Sequence, residues 1–242
     1  MILWSERSCV REDIVRSVQQ IYDEIGVNFS RTRQKTYGNG KSSNWPVTDI
    51  YLIRLKSGEK VLDLGCGNGK LITGLPEGVG YVGTDFSTVL LGEARRLHPK
   101  YDFREGNVIT PEHWQGLGMF QAIFAVAVLH HIPETKQQIW VLREAKKHLL
   151  PGGFLYLTVW NLWQAKFAQA HLDSLELKKT NKQWVEIPFQ AKWKRFCVAF
   201  DVASLTEVVT QAGWKIEELF YADREGKRAD VLTGENLVCV AK

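Results

Sequence analysis

Residues 61–69 read VLDLGCGNG, and this short stretch decides the fold. Val61–Leu64 is an apolar run typical of a buried strand, and glycines follow it at alternate positions. Glycines there permit a tight turn and let a ligand approach the backbone closely. The next apolar run ends at Asp85, about 20 residues further on, where a carboxylate can bind both ribose hydroxyls of a nucleoside. The pattern predicts a nucleoside-binding site in an α/β domain.

Strands and helices alternate along the rest of the chain. Apolar runs predict strands at 60–64, 81–85, 101–103, 120–129 and 154–160, and helical spacing predicts helices at 11–25, 87–97 and 135–149. Trp45-Pro46 is expected to open a short helix toward Arg54, and residues 202–241 read as a helix and a closing hairpin. This alternation favours an α/β fold with a Rossmann-like, mostly parallel seven-stranded sheet, a C-terminal antiparallel hairpin and helices on both faces.

A chain of 242 residues with 45% hydrophobic residues is expected to form one domain. We divide it into a helical cover (1–57), a core (58–160), an inserted lid (161–200), and a closing helix and hairpin (201–242). A net charge of +4 neither announces nor excludes a nucleic-acid partner.

The four cysteines contain no CxxC pair, so the sequence predicts neither a disulfide framework nor a metal site, which fits a reducing cytosol. The first residues are too charged for a signal peptide, and no stretch reaches the length of a membrane span. A cytoplasmic protein without a membrane partner is therefore expected.

Two details of the glycine loop favour S-adenosylmethionine over a dinucleotide. Asp63 stands two residues before Gly65, where it would repel a pyrophosphate but attract the ammonium group of an aminoacyl sulfonium ligand. The glycine spacing is GxGxG rather than GxGxxG. Another nucleotide, or a purely structural turn, remains the alternative at this point.

The run VLDLGCGNGKLI, with GTDFS, EGNVI, AVAVLHHI and LLPGGFLYLTVW after it, resembles the class I S-adenosylmethionine-dependent methyltransferases. The resemblance covers residues 58–160 and the closing hairpin. It implies that the cofactor is bound by Asp63, Gly65, Cys66, Gly67, Asn68 and Gly69, by Asp85, Phe86 and Ser87 at the ribose, by Asn107 and Val108 at the adenine, and by the backbone near Ala125 at the methionine end.

The residues after the fourth strand limit the chemical class of the methyl acceptor. Methylation of base amino groups usually brings an Asn/Asp-Pro-Pro-aromatic run there, whereas this chain has AVLHHI. Methylation of a pyrimidine carbon needs a nucleophilic cysteine, and Cys66 lies in the glycine loop itself. A carboxylate acceptor is already ionised near neutral pH and needs only a cation, best an arginine, to hold it. His130 and His131 either orient the acceptor or act as a base, or they only end the strand.

YDEIGVNFSRTR (residues 22–33), with Lys35 and Trp45-Pro46, resembles the N-terminal segment of the wobble-uridine tRNA methyltransferases. That family converts 5-carboxymethyluridine in tRNA to its methyl ester. The resemblance implies that Arg33 grips the carboxylate and that Tyr22 and Phe29 cover the cofactor. It also implies a small zinc-binding activator subunit as partner, and substrate contacts from Arg31, Lys35, Trp160 and Arg195. The plainer alternative for Arg31, Arg33 and Lys35 is a solvated loop.

Two departures from that family leave the substrate open. The chain inserts TYGNGKSSN after Lys35, and Arg195-Phe196-Cys197-Val198 stands where the family has Arg-Tyr-Tyr-His. A small organic acid or quinone precursor is therefore the alternative acceptor, and an inactive cofactor-binding scaffold is a third hypothesis.

Residues 161–200 carry seven Lys or Arg against three acids, interleaved with aromatic residues. This mixture is expected where phosphates and bases are met together. The alternative is a lid whose aromatic residues pack on the sheet and whose lysines keep it soluble.

Overall fold

The computed structural model describes residues 5–33, 44–167, 184–189 and 193–242, and within these residues eight strands form one sheet. The strands of this sheet are β1 (Lys60–Leu64), β2 (Gly80–Asp85), β3 (Asp102–Glu105), β4 (Phe120–Val126), β5 (Leu149–Trp160), β8 (Ile216–Ala222), β9 (Arg228–Ala229) and β10 (Asn236–Ala241). Their spatial order is β3-β2-β1-β4-β5-β10-β8-β9. β6 (Trp184–Phe189) and β7 (Trp193–Val198) form a separate antiparallel pair.

The first five strands are parallel, and β10 runs antiparallel between β5 and β8. The predicted α/β class and closing hairpin are thus confirmed. The predicted count of seven strands was short by β9, a two-residue strand whose sequence carries no apolar run. The strand order reverses between β1 and β4, and ligands of open parallel sheets bind at such a switch point.

Five α-helices are present in the described part of the chain. They are α1 (Ser5–Arg33), α2 (Pro46–Leu52), α3 (Thr88–Leu97), α4 (Thr135–Lys147) and α5 (Val202–Gln211). The starts follow from local chemistry: Pro46 opens α2, the Ser87 hydroxyl accepts the Leu90 N–H at 3.2 Å, and Asp201 closes a capping box.

Directly after the glycine loop, Lys70–Gly74 forms a single short 3-10 helix.

The first helix was expected to end at residue 25 and continues to Arg33. Residues 26–33 lack an apolar stripe, and contact with α3 replaces it. A Cβ added at Gly26 would lie 2.7 Å from Cγ1 of Val89, so the glycine lets α1 and α3 approach closely. Ser30 is fully buried. Packing, rather than helix propensity, holds this end of α1.

Apolar cores lie on both faces of the sheet. On one face the Trp214 indole donates to the Leu142 carbonyl at 2.9 Å between α5 and α4. On the other, the rings of Tyr51 and Tyr156 lie 4.9 Å apart under α2. A third, smaller core under the β6–β7 pair contains Cys197. None of the described helices is long and apolar enough to span a bilayer.

The β6–β7 pair shows that the predicted lid contains strands. Residues 168–183 and 190–192 of the predicted lid lie outside the described residues. The divisions of the domain at residues 57, 160 and 200 stay predictions.

Candidate active site

A cavity of about 600 Å³ lies at the carboxyl ends of β1, β2 and β4, at the switch point of the sheet. Tyr22 from α1 and Trp160 from β5 line it together with the glycine loop. Cavities of this size hold ligands as large as a nucleoside with a side chain.

The glycine loop is held open by backbone that only glycine adopts readily. Gly65, Gly67 and Gly69 have φ values of 67°, 54° and 74°. The buried Asp85 carboxylate accepts the Gly67 N–H at 2.8 Å and the Ser87 N–H at 2.9 Å. Burial raises the pKa of Asp85 to about 6. Each carboxylate oxygen keeps a second lone pair, so Asp85 can still accept two ribose hydroxyls.

Asp63 faces the same cavity and is also buried. The Tyr81 hydroxyl donates to its Oδ2 at 2.8 Å, and burial raises the pKa of Asp63 to about 7. A cationic ligand group beside Asp63 would favour its ionised form and so lower this pKa again. Burial also raises the pKa of the Cys66 thiol, which makes that thiol a poor nucleophile. Tyr81 was missed from the sequence because it looked like an ordinary strand residue.

The helix α1 closes the cavity by binding the loops that hold the ribose end. The Asn68 amide donates to the Ser30 hydroxyl at 3.0 Å, and the Ser87 hydroxyl donates to Asp23 at 2.5 Å. Gln19 donates to the carbonyl of Phe86 at 2.7 Å. Residues from the middle of α1 and from near its C-terminal end thus bind the loops after β1 and β2, and Tyr22 lies among them on the cavity wall.

A hydrogen-bond network occupies the end of the cavity under Trp160. The Tyr22 hydroxyl lies 3.1 Å from Nε2 of His131 and accepts from Nη1 of Arg195 at 3.4 Å. The Arg195 guanidinium lies over the Trp160 ring, 4.6 Å from its centroid. Arg195 itself is buried, next to the residues that line the cavity.

The tautomer of His131 follows from its partners. Nδ1 lies 3.1 Å from the carbonyl oxygen of Phe196, which can only accept, so Nδ1 carries the proton. Nε2 then accepts the proton of the Tyr22 hydroxyl. Burial lowers the pKa of His131 to about 4, so the ring is neutral near pH 7. Its lone pair is engaged, which leaves His131 orienting Tyr22 rather than poised as a general base.

His130 is fully buried and does not reach the cavity. Its ring lies 4.8 Å from that of Trp160, behind the wall. The structure therefore brings only one of the two candidate histidines to the site. Among the described residues, Gly69, Ser87 and Ala125 also lie just outside the lining, and the strand-end backbone that faces the cavity is Val126–Val128.

Of the three cations of the N-terminal segment, the structure describes only the side chain of Arg31, which is exposed on α1. The side chains of Phe29 and Arg33 and all of Lys35 lie outside the described residues. The backbone of Arg33 ends α1, eleven residues after Tyr22, or about 16 Å along the helix axis.

Several lining residues escaped the sequence analysis. Ala127 has a φ of 60°, unusual for a residue with a Cβ, and its N–H donates to the backbone and hydroxyl of Thr158 at 3.0 and 3.1 Å. The lining also includes the buried Asn44, the exposed Lys166 and Arg224, and the half-buried Glu235 and Asn236. No local motif marks these residues, which come from four separate segments.

The glycine loop, the ribose acid and the strand order define a class I methyltransferase fold. The family described as a methyltransferase domain matches residues 47–219, and the chain belongs to this family. Membership confirms the prediction made from the VLDLGCGNG stretch, and S-adenosylmethionine is the methyl donor that enzymes of this fold use.

Similar proteins refine the comparison. The tRNA (carboxymethyluridine(34)-5-O)-methyltransferase of Saccharomyces cerevisiae is 28% identical over 159 residues, 66% of this chain and 53% of the yeast protein. This chain therefore spans about half the length of that relative.

Two solved structures share the fold. A complex of DhpI with SAM and HEP has a TM-score of 0.62 at 20% identity, covering 95% of this chain and 97% of that one. A Haloferax volcanii putative methyltransferase, in complex with the Trm112 methyltransferase activator, has a TM-score of 0.61 at 16% identity, covering 91% of this chain and 96% of that one.

Proposed function

We propose that this protein transfers a methyl group from S-adenosylmethionine to the carboxylate of 5-carboxymethyluridine at the wobble position of tRNA. One observation carries the proposal: the cavity pairs a nucleoside cradle at Asp85 with a buried arginine network at its other end. The nucleoside cradle suits the methyl donor, and the buried arginine suits an anionic methyl acceptor. The name of the yeast relative supplies the identity of that acceptor.

We assign the carboxylate-holding role to Arg195 in place of Arg33. Arg195 stacks on Trp160 and donates to the Tyr22 hydroxyl, and both partners line the cavity. The backbone of Arg33, by contrast, lies about 16 Å along α1 from Tyr22, beyond Ser30, which contacts the glycine loop. A guanidinium held on an aromatic face keeps a fixed orientation, which suits fork-like binding of a carboxylate. Arg195 does not itself line the cavity, so binding of the carboxylate would require the Tyr22 or Trp160 ring to move.

The chemistry asks little more of the protein than alignment. When bound, the cofactor supplies an electrophilic methyl group on a positively charged sulfur. Arg195 and Tyr22 hold the carboxylate in line with that group, and the Trp160 and His131 rings exclude water from the path. The acceptor is already ionised, so no proton has to be removed. This agrees with a neutral His131 whose lone pair is occupied by Tyr22.

The tRNA is the proposed partner at the cavity. Lys166 and Arg224 line the cavity and are exposed, and they could contact the negatively charged backbone around a flipped nucleoside. The activator seen with the Haloferax methyltransferase makes a small zinc-binding subunit a second proposed partner. A tRNA substrate also underlies the proposed cytoplasmic location.

The deciding experiment measures transfer of radiolabelled methyl groups to three acceptors, with and without an activator subunit. The acceptors are tRNA carrying 5-carboxymethyluridine, the same tRNA without the carboxymethyl group, and a panel of small organic acids. Label confined to the carboxymethylated tRNA, and released by mild alkali as expected for a methyl ester, supports the proposal. Equal labelling of both tRNAs, or labelling of small acids alone, refutes it.

A further inference from the structure

His130, His131 and Cys197 form a compact group of potential metal ligands behind the cavity wall. One ligand atom from each lies within 4.8 Å of the others. Cys197 Sγ and His131 Nδ1 are 3.8 Å apart. In a tetrahedral zinc site, Zn–S bonds of about 2.3 Å and Zn–N bonds of about 2.0–2.1 Å place such atoms about 3.6 Å apart. The two side chains are thus already at ligand spacing.

His130 provides an independent sign that something is bound there. The residue is fully buried, and neither ring nitrogen has a hydrogen-bond partner among the described residues. Buried polar atoms are nearly always satisfied, because desolvating them without a partner is costly. A coordinated cation would satisfy a nitrogen of His130 without any donor or acceptor from the chain.

From these observations we infer that His130, His131 and Cys197 bind a thiophilic divalent cation of the Zn²⁺ type. Neutral imidazole and thiolate are the ligands that this ion prefers. The nearby Arg195 charge opposes any cation, so the ion would have to be held by a thiolate at Cys197, whose negative charge offsets it.

Ligation through Nδ1 of His131 would change the tautomer that the ring has without metal. The ion would replace the Nδ1 proton that faces the Phe196 carbonyl, and the proton would move to Nε2, where the Tyr22 hydroxyl, 3.1 Å away, can accept the hydrogen bond. Such a partner on the second nitrogen is usual for zinc-bound histidines. The ion would tie β7 to the turn after β4 and so fix the two segments that carry Arg195 and His131. The sequence does not predict this site, because Cys197 lies 66 residues after His131.

The inference does not depend on the proposed function, and metal binding tests it directly. The full chain is purified under reducing conditions, stripped with a chelator, and titrated with Co²⁺ and then Zn²⁺. We expect one Co²⁺ per chain, with the visible bands of tetrahedral cobalt and a thiolate-to-cobalt charge-transfer band, all displaced by Zn²⁺. Cys239→Ala is the matched control, since Cys239 is another buried thiol, in β10. It should keep the spectrum, whereas Cys197→Ala should lose the charge-transfer band.

Several results would overturn the inference. The first is the absence of a thiolate-to-cobalt band in the wild-type protein. This measurement does not depend on the folding of any variant. The second is a band that persists in a Cys197→Ala protein with native circular dichroism. The third is binding that is equally strong in His130→Ala, which would remove His130 from the ligand set.

Discussion

Replacing Arg195 with glutamine is the sharpest test of the acceptor site. The guanidinium is buried, stacks on Trp160 and donates to the Tyr22 hydroxyl. A hydrogen bond to a charged group contributes about 1.5–3 kcal/mol. Loss of one such bond to the acceptor carboxylate corresponds to roughly 10- to 150-fold in binding. We therefore expect kcat/KM for the carboxymethylated tRNA to fall by at least about tenfold, with little change in the affinity for S-adenosylmethionine.

The assay combines initial rates of methyl transfer with calorimetric titration of the cofactor. Lys194→Gln is the matched control, because Lys194 is the neighbouring cation on β7 but is exposed and pairs only loosely with Glu186 at 3.7 Å. Arg195→Lys should recover part of the loss, since it restores the charge without the fork. Unchanged kinetics in Arg195→Gln, or equal losses in Lys194→Gln, would refute the assignment. A parallel loss of cofactor affinity would show that Arg195 supports the donor instead.

Three further predictions concern the cover and the donor end. Gly26→Ala should destabilise the protein by about 1–3 kcal/mol in urea unfolding, because the new methyl group meets Val89. Gly92→Ala on α3 is the control and should be neutral or stabilising, because the space around Gly92 is open. Equal effects of the two substitutions would refute the close approach of α1 to α3. Asp85→Asn should weaken cofactor binding by at least about tenfold in calorimetry, and an unchanged dissociation constant would contradict its ribose role. Asp63 gains a proton as the pH falls through about 7, so the affinity of the wild-type protein for the cofactor should fall over that range, and Asp63→Asn should not show this fall. Because the folded pKa of Asp63 is raised, the unliganded protein should also become more stable as the pH falls from about 7 toward 4. Identical pH profiles of affinity for the two proteins would remove Asp63 from the ammonium site.

The donor end of the site could be predicted from sequence because its parts are local. The glycine spacing, Asp63 and Asp85 belong to one strand-loop-strand unit, and Asp63, Gly65, Gly67 and Asp85 all line one cavity. Backbone geometry at the three glycines leaves little freedom to that unit. Its position at the end of a parallel strand also follows from the general behaviour of such sheets.

The acceptor end depends on contacts between distant segments. Arg195, which the resemblance implied as a substrate contact, comes next to Tyr22 because β7 packs against the turn after β4. The role that the resemblance gave to Arg33 stays a prediction, because its side chain lies outside the described residues; its backbone ends α1, eleven residues after Tyr22. The length of α1 depends on its packing against α3, and hydrophobic periodicity in the sequence does not reveal that packing.

The place of β10 in the sheet has a consequence for synthesis on the ribosome. This strand lies between β5 and β8, yet it follows both of them in the chain. Until residues 236–241 have emerged from the ribosome, β5 exposes one open edge and β8 exposes another. Open edges invite pairing with other chains. The nascent protein therefore depends on a late, long-range pairing step, and a chaperone that shields β5 should improve its yield more than one that acts on the completed chain.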